Sequence, residues 1–465
     1  MQISGTHILV FPYPAQGHML SLLDLTHQLA IRGVYITILV TPKNLPSLAS
    51  LLSAHPTTIT TLVLPLPPHP GNPSGIENVK DLPMSGFSAM MVALGDLYKP
   101  VLTWARNHSN PPSAILSDFF LGWTNRLAKE LGIRRYCYSP SGALALSVIF
   151  CLWKYQPKRC DKTDTNEIIK FDKIPNSPQY PWWQISPVYR SYVEGDPTSE
   201  FIKEGFLGDI ESCGIVINSF TELERIYVDY LKEELGHDRV FAVGPLLPLG
   251  TEVIERGGPS SNNDVLSWLN TCENQTVVYV CFGSHLVLTN SQMVAVASGL
   301  EKSGVKFVWS VKEPTGGHVA SECGRIPEGF EDRVAGRGLV VRGWAPQVAI
   351  LNHDSVGAFL THCGWNSITE GVVAEVLLLT WPMSADQYSN ATLLHDLKVG
   401  MKACEGEKTV PDSNVLAKLF IKSVSDESRV ERERAKEFAK AAKKAICEKG
   451  SSVAELDRLV ANVSC

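Results

Sequence analysis

Charge is sparse in this 465-residue chain: Asp, Glu, Lys and Arg make up 19% of it, and the formal net charge is −6. A protein that neutralises phosphate backbones needs a basic excess, so nucleic acid is not expected as a partner. Long hydrophobic runs are also missing. The longest, residues 142–153, falls well short of the ~20 a spanning helix requires, so no membrane insertion is expected. The opening MQISGTHILVFPYPAQGHM has no basic flank and breaks at Pro12 and Pro14, which reads as a buried strand and not a signal peptide. The 11 cysteines include no CxxC pair, which excludes a zinc ribbon or disulfide scaffold and points to free thiols in the cytoplasm. GxGxxG after a strand, GxxxxGKS/T, GxSxG and HExxH are absent, which removes the dinucleotide, P-loop, serine-hydrolase and zinc-protease sites. Without an Asp-x-Asp pair there are no carboxylates for a metal-bridged nucleotide, so no metal is expected and a bound diphosphate must be neutralised otherwise.

What the chain does have is a β/α rhythm, the mark of parallel sheets covered on both faces. HILVF at 7–11 leads through a Pro/Gly loop into a helix with Leu22, Leu25 and Leu29 on one face. VYITILV, AILS, RRYCY and GIVIN, beginning at residues 34, 114, 134 and 214, continue as strands of one sheet, closing near residue 247. Residues 248–264, rich in Gly, Pro, Ser and Asn, read as an interdomain linker. The rhythm then restarts with TVVYVCF at 276–282 and a helix that Thr289 and Gln292 open at capping-box spacing. KFVWSV, GLVVR, GAFL and VLLLTW supply further strands, so two Rossmann-like lobes are expected, 1–247 and 265–449, with a final segment 450–465. Residues 156–206 read as a long irregular loop. Residues 429–449, with eight basic and four acidic residues, read as a solvated helix face.

The stretch WAPQVAILNHDSVGAFLTHCGWNSITEGVVAEVLLLTWPMSADQ, residues 344–387, has the chemistry of a nucleotide-sugar cradle. Trp344 offers a flat face to a base, Gln347 an amide to ribose, and Glu370 a bidentate acceptor for two ribose hydroxyls. The buried strand GAFL enters a turn, THCGW, and a helix starting at Asn366 or Ser367. Its free N–H groups and dipole form an anion site beside His362. Asp386 and Gln387 follow a strand end, where open α/β sheets bind ligands. In the first lobe His18 lies between strand and helix and Asp118 ends the strand AILS. Taken alone, the histidine is more often structural and the aspartate a turn or cap residue.

The 344–387 stretch resembles the 44-residue signature box of the plant family 1 UDP-sugar glycosyltransferases, and PAQGHM, SDFF and CFGS extend the resemblance over nearly the whole chain. The resemblance implies a GT-B fold: two Rossmann-like lobes with parallel sheets facing across a cleft, acceptor mainly on the first, donor mainly on the second, and the segment 450–465 crossing back to the first lobe. It implies that Trp344 and the Ala345 backbone hold uracil and that Gln347 and Glu370 hold ribose. Ser284, His362, Asn366 and Ser367 would take the diphosphate, Trp365, Asp386 and Gln387 the sugar, with Gly364 part of the donor turn. His18 resembles the family's general base, oriented by Asp118, in an inverting displacement that gives a β-glycoside. The helix dipole at residue 18 opposes an added positive charge, which suits an imidazole that must accept a proton.

In this family a closing Gln goes with glucose, so UDP-glucose is the expected donor, with UDP-rhamnose or UDP-galactose on a flavonol as the alternative. A catalytically silent sugar-nucleotide binder is the other rival. UDP-sugar is then a co-substrate and no cofactor is expected. The first lobe is similar to that of members acting on flavonols and hydroxybenzoates, and Phe119, Phe120 and Trp123 are candidate walls for a small aromatic acceptor. The chain is expected to act as a monomer. It departs from the family at Glu375 and Leu377, where Gly and Pro are usual. A left-handed residue 375 would cost about 1 kcal/mol as Glu.

Overall fold

Alternating β-branched runs and amphipathic helices produce two parallel sheets. The computed structural model describes residues 5–82, 86–247, 262–314 and 322–464. The first sheet holds β1 (His7–Phe11), β2 (Tyr35–Val40), β3 (Ile59–Val63), β4 (Ala114–Asp118) and β5 (Arg134–Ser139). A small hairpin, β6 (Ile168–Lys170) and β7 (Gln179–Pro181), precedes β8 (Gly214–Ile217) and β9 (Val240–Ala242), and the sheet order is β3-β2-β1-β4-β5-β8-β9. The second sheet comprises β10 (Val277–Cys281), β11 (Lys306–Val311), β12 (Gly338–Arg342), β13 (Val356–Thr361), β14 (Leu377–Thr380) and β15 (Gly400–Lys402), ordered β12-β11-β10-β13-β14-β15. The central strands of both sheets are buried on both faces, as parallel sheets require, whereas the edge strands β3, β12 and β15 are partly exposed.

Each sheet reverses its winding at the centre. Leu9 of β1 lies opposite Thr37 of β2 on one side and Ile115 of β4 on the other. In the second sheet Tyr279 of β10 sits between Val308 of β11 and Phe359 of β13. Such switch points open a crevice beyond the carboxyl ends of the two central strands. His18 follows β1 and Asp118 ends β4, whereas Ser284 and His362 follow β10 and β13, so both sets occupy that position in their own sheet.

The chain divides into two compact units, 1–246 with 445–465, and 247–444. The C-terminal helix Ser451–Ser464 puts Leu456, Leu459, Val460 and Val463 into the core of the first unit with Ile8, Val10, Leu22 and Val216. Arg134 and Tyr136 donate to the Asn462 carbonyl at 2.9 and 3.0 Å, and Arg32 pairs with Asp457 at 2.8 Å. The first unit reclaims the chain at residue 445, five residues earlier than the composition marked. Residues 248–261 of the expected linker lie outside the described residues. Its last three, 262–264, belong to the helix Asn262–Leu269, whose first turn carries Asp264 where the dipole favours a negative charge.

The loop expected at 156–206 is largely structured: it holds the β6–β7 hairpin, a turn of helix at Pro187–Arg190, and most of the helix Pro197–Ile210. Asp196 caps that helix by accepting from Ser199 N, and Pro197 enters at its first position. The charged segment forms the helix Arg429–Ala445, with Ala435, Ala439 and Ala442 buried and its charges outward. Thr289 and Gln292 form the full capping box, and Met293, Val296 and Leu300 of that helix are buried.

Candidate active site

In the first unit, the loop after β1 turns at Ala15 into the helix Gln16–Ile31, which places His18 in its first turn. Its Nδ1 lies 2.9 Å from Asp118 Oδ2, with the imidazole 18% exposed and the carboxylate fully buried. Asp118 Oδ1 accepts from Phe120 N at 2.9 Å, so both of its oxygens are engaged. A carboxylate only accepts, so Nδ1 carries the hydrogen, and in the neutral imidazole Nε2 then holds the lone pair. Nε2 makes no hydrogen bond within the described residues.

Rings enclose this imidazole. Phe119 stacks at 5.6 Å between centroids, Phe120 lies at 4.9 Å and Tyr13 at 5.4 Å. Phe87 stacks on Tyr13, whose hydroxyl donates to the Phe87 carbonyl at 2.9 Å. Phe206 meets Phe119 and Phe120 edge-on and stacks on Trp153. Of the three aromatic candidates, Phe119 and Phe120 therefore border His18. Trp123 instead packs on Phe11 and Tyr98. Tyr13, Phe87, Trp153 and Phe206 were not anticipated; Tyr13, five residues before His18 in the loop that leads into its helix, carried a readable signal.

In the second unit, β13 delivers His362 into a turn where Cys363 takes φ +66° and Gly364 caps the helix Trp365–Val373. The helix begins one residue before the expected Asn366. A Cβ on Gly283 would lie 2.6 Å from His362 Cε1, and one on Gly364 2.4 Å from Nε2, so the ring is clamped where only glycine fits. Burial pushes His362 down to about 4, which keeps it neutral, and its Nδ1 has no partner among the described residues. The N-terminal N–H groups of this nine-residue helix share the same turn.

Gln347 Nε2 donates to Glu370 Oε2 at 2.6 Å and to Ser367 Oγ at 3.1 Å, so these three side chains form one network. Ser367 is thus bonded to the expected ribose pair and not to His362. Tyr279 donates to Gln347 Oε1 at 3.4 Å. Trp344 is 42% exposed, an open indole face, while Ala345 and Trp365 are buried. Asn390 links Asp386 Oδ2 to the Cys363 carbonyl, both at 3.0 Å. Gln387 Oε1 accepts from Met383 N and Ser384 N at 2.9 and 3.0 Å, which leaves only its Nε2 hydrogens to offer. The Ser284 carbonyl accepts from Lys312, a cation not anticipated from the sequence. Among the described residues, no group of three or more His, Cys, Asp or Glu is arranged to hold a metal, and no helix is long and apolar enough to cross a membrane.

Residues 256–433 match the family described as UDP-glucoronosyl and UDP-glucosyl transferase. Over 461 residues the chain is 74% identical to UDP-glycosyltransferase 89B2 of Stevia rebaudiana, covering 99% of this chain and 98% of the relative. It is 56% identical over 464 residues to flavonol 3-O-glucosyltransferase UGT89B1 of Arabidopsis thaliana, covering 98% and 96%. The crystal structure of Arabidopsis thaliana UGT89C1 with UDP-L-rhamnose matches with a TM-score of 0.81 at 37% identity, over 99% of this chain and 100% of that one. The same protein with quercetin bound matches at 0.80. Matches of this identity span nearly the whole chain: it belongs to the plant UDP-sugar-dependent glycosyltransferases.

Proposed function

We propose that this enzyme transfers glucose from UDP-glucose to a hydroxyl of a flavonoid or hydroxybenzoate, with inversion, giving a β-O-glycoside. The observation that carries the reading is the His18–Asp118 pair at 2.9 Å inside a ring of aromatic side chains. His18 Nε2 takes the acceptor proton, the acceptor oxygen attacks the anomeric carbon, and the bond to UDP breaks with its electron pair left on the diphosphate. Asp118 stabilises the imidazolium as it forms, the logic of the Ser-His-Asp arrangement with the acceptor hydroxyl in the place of serine. Phe119, Phe120, Tyr13 and Phe206 supply apolar faces for a planar phenol.

On the donor side, Trp344 and the Ala345 backbone receive uracil, and the Gln347–Glu370–Ser367 network opens to ribose. The helix N-terminus with Asn366, neutral His362 and Ser284 meets the diphosphate. Trp365, Asp386 and the Gln387 amide hydrogens face the sugar. Support for glucose comes from the 56% identical relative, a flavonol 3-O-glucosyltransferase, and from Gln387. The structure of a 37% identical relative with UDP-L-rhamnose keeps rhamnose as the second reading.

The test is mass spectrometry of the enzyme with UDP-glucose, UDP-rhamnose and UDP-galactose against flavonols, hydroxybenzoates and simple phenols, with His18→Ala as control. A hexose-mass product lost in His18→Ala is expected. A product with UDP-rhamnose alone would overturn the donor, and silence with every donor would leave a binding protein.

A further inference from the structure

Arg135 and Asp209 are both fully buried, with Nη1 2.5 Å from Oδ1. A buried ion pair is weak support for stability, because apolar residues of similar volume often serve as well. What distinguishes this one is where its remaining hydrogen bonds go. Arg135 lies on β5, beside β4, and donates through Nε to Ser117 Oγ at 3.1 Å and through Nη2 to the Asp118 carbonyl at 3.3 Å. Nη1 also reaches Ser212 Oγ at 2.7 Å. One guanidinium thus binds the last two residues of β4 on one side and the end of the helix Pro197–Ile210 on the other.

That helix lies against the segment that follows β4 as closely as a backbone allows. A Cβ on Gly122 would fall 1.9 Å from the Gly205 carbonyl oxygen, and one on Gly208 2.9 Å from the Gly122 carbonyl oxygen. Between those two glycines, Phe206 presses its ring against Phe119 and Phe120, which border His18. Asp209 follows Gly208 directly. Burial works against the Arg135 charge, but the groups around it, Asp209 foremost, more than offset this and raise the Arg135 pKa, so the fork stays cationic, while burial pushes the Asp209 carboxyl up to about 7 against the pull of Arg135. Lysine, with one compact ammonium, could not bridge both elements in this way.

We propose that Arg135 and Asp209 are positioning residues for the His18–Asp118 dyad, locking the end of β4 to the helix that carries the Phe206 wall. The proposal rests on His18 acting as the base. Its signature follows from that role: misplacing the base harms only acceptors that still hold their proton.

The experiment compares full-length wild type, Arg135→Met/Asp209→Leu, Arg135→Lys and His18→Ala. Each is assayed for UDP affinity, thermal unfolding, and kcat and KM with two phenols, one neutral and one already ionised at the assay pH. The apolar pair is expected to fold and bind UDP as wild type does. Its kcat should fall about 10- to 100-fold with the neutral phenol and within about threefold with the ionised one. Equal losses with both phenols, as a purely structural role would give, or an unchanged kcat with the neutral one, overturns the proposal. Should the apolar pair fail to fold, Arg135→Lys must show the same acceptor-dependent split at smaller amplitude, and equal losses there overturn it. His18→Ala separates the two readings. If it turns over the neutral phenol normally, the base assignment falls and the positioning role with it. If it is inactive while the apolar pair is fully active, only the positioning role falls.

Discussion

Replacing His362 by glutamine should flatten the acid limb of the protein's stability. In the folded chain burial pushes this imidazole down to about 4, against ~6.5 in an unfolded chain. Between those values the unfolded state binds more protons, so stability rises with pH through the window and is lost as pH falls from 6.5 towards 4. The full displacement corresponds to about 3.4 kcal/mol. Integrated from pH 7 only to pH 4.5, where many proteins remain soluble, about 2.4 kcal/mol should go. For a domain of this size that is a fall in melting temperature of about 5–10 °C. Calorimetry of wild type and His362→Gln at both pH values isolates the effect, since every other titrating group is common to the two. Wild type should lose those degrees relative to the variant. A diphosphate beside the ring favours the imidazolium, so saturating UDP should narrow the gap. Parallel pH dependences, agreeing within about 0.5 kcal/mol, would refute both the burial argument and the clamped geometry.

Three further outcomes follow from named contacts. Glu375 takes φ +64° and its carboxylate meets Lys443 at 2.7 Å on the surface; Glu375→Gly should relieve about 1 kcal/mol of backbone strain for a smaller loss of an exposed pair, and a lower melting temperature would contradict this. Gly122→Ala sets a methyl 1.9 Å from the Gly205 carbonyl oxygen; denaturant unfolding should show at least about 3 kcal/mol lost, and a loss under about 0.5 would mean the helix yields freely. Trp344→Ala removes an exposed ring, so melting should not change while UDP affinity by calorimetry falls about tenfold, an unaltered Kd being the result that removes the stacking role.

How far the fold could be read depended on burial. The strands β1, β2 and β4 and the second-sheet strands β10, β11, β13 and β14 were legible because two-sided burial writes largely apolar runs. β3 was missed: ITTLV at the sheet edge buries only Ile59 and exposes Thr60 and Val63, and its threonines look like loop. The helix Pro197–Ile210 was missed despite a clear start at Asp196-Pro197. Gly205 and Gly208 broke its pattern, and they are there because the helix must touch Gly122 backbone to backbone. A tertiary demand erased the local signal.

For the site, residue types were legible and partnerships were not. The spacing of Gln347, Ser367 and Glu370 named three ligand-binding candidates, but their mutual hydrogen bonds depend on how the helix Gln347–Leu351 leans on the helix Trp365–Val373. The conditional cost assigned to Glu375 became definite only with its φ. Glu375 N bonds to the Val372 carbonyl and Val376 N to the Gly371 carbonyl, a Schellman pattern that requires a left-handed residue there whatever its side chain. His18 gives the same lesson with more at stake. A lone histidine in a Pro/Gly loop is ambiguous in sequence because its meaning is set by a carboxylate 100 residues away. What brings the two together is neither motif but the switch point, which seats the end of β1 against the end of β4. The chemistry is thus a property of strand order, and strand order is what a single sequence states least directly.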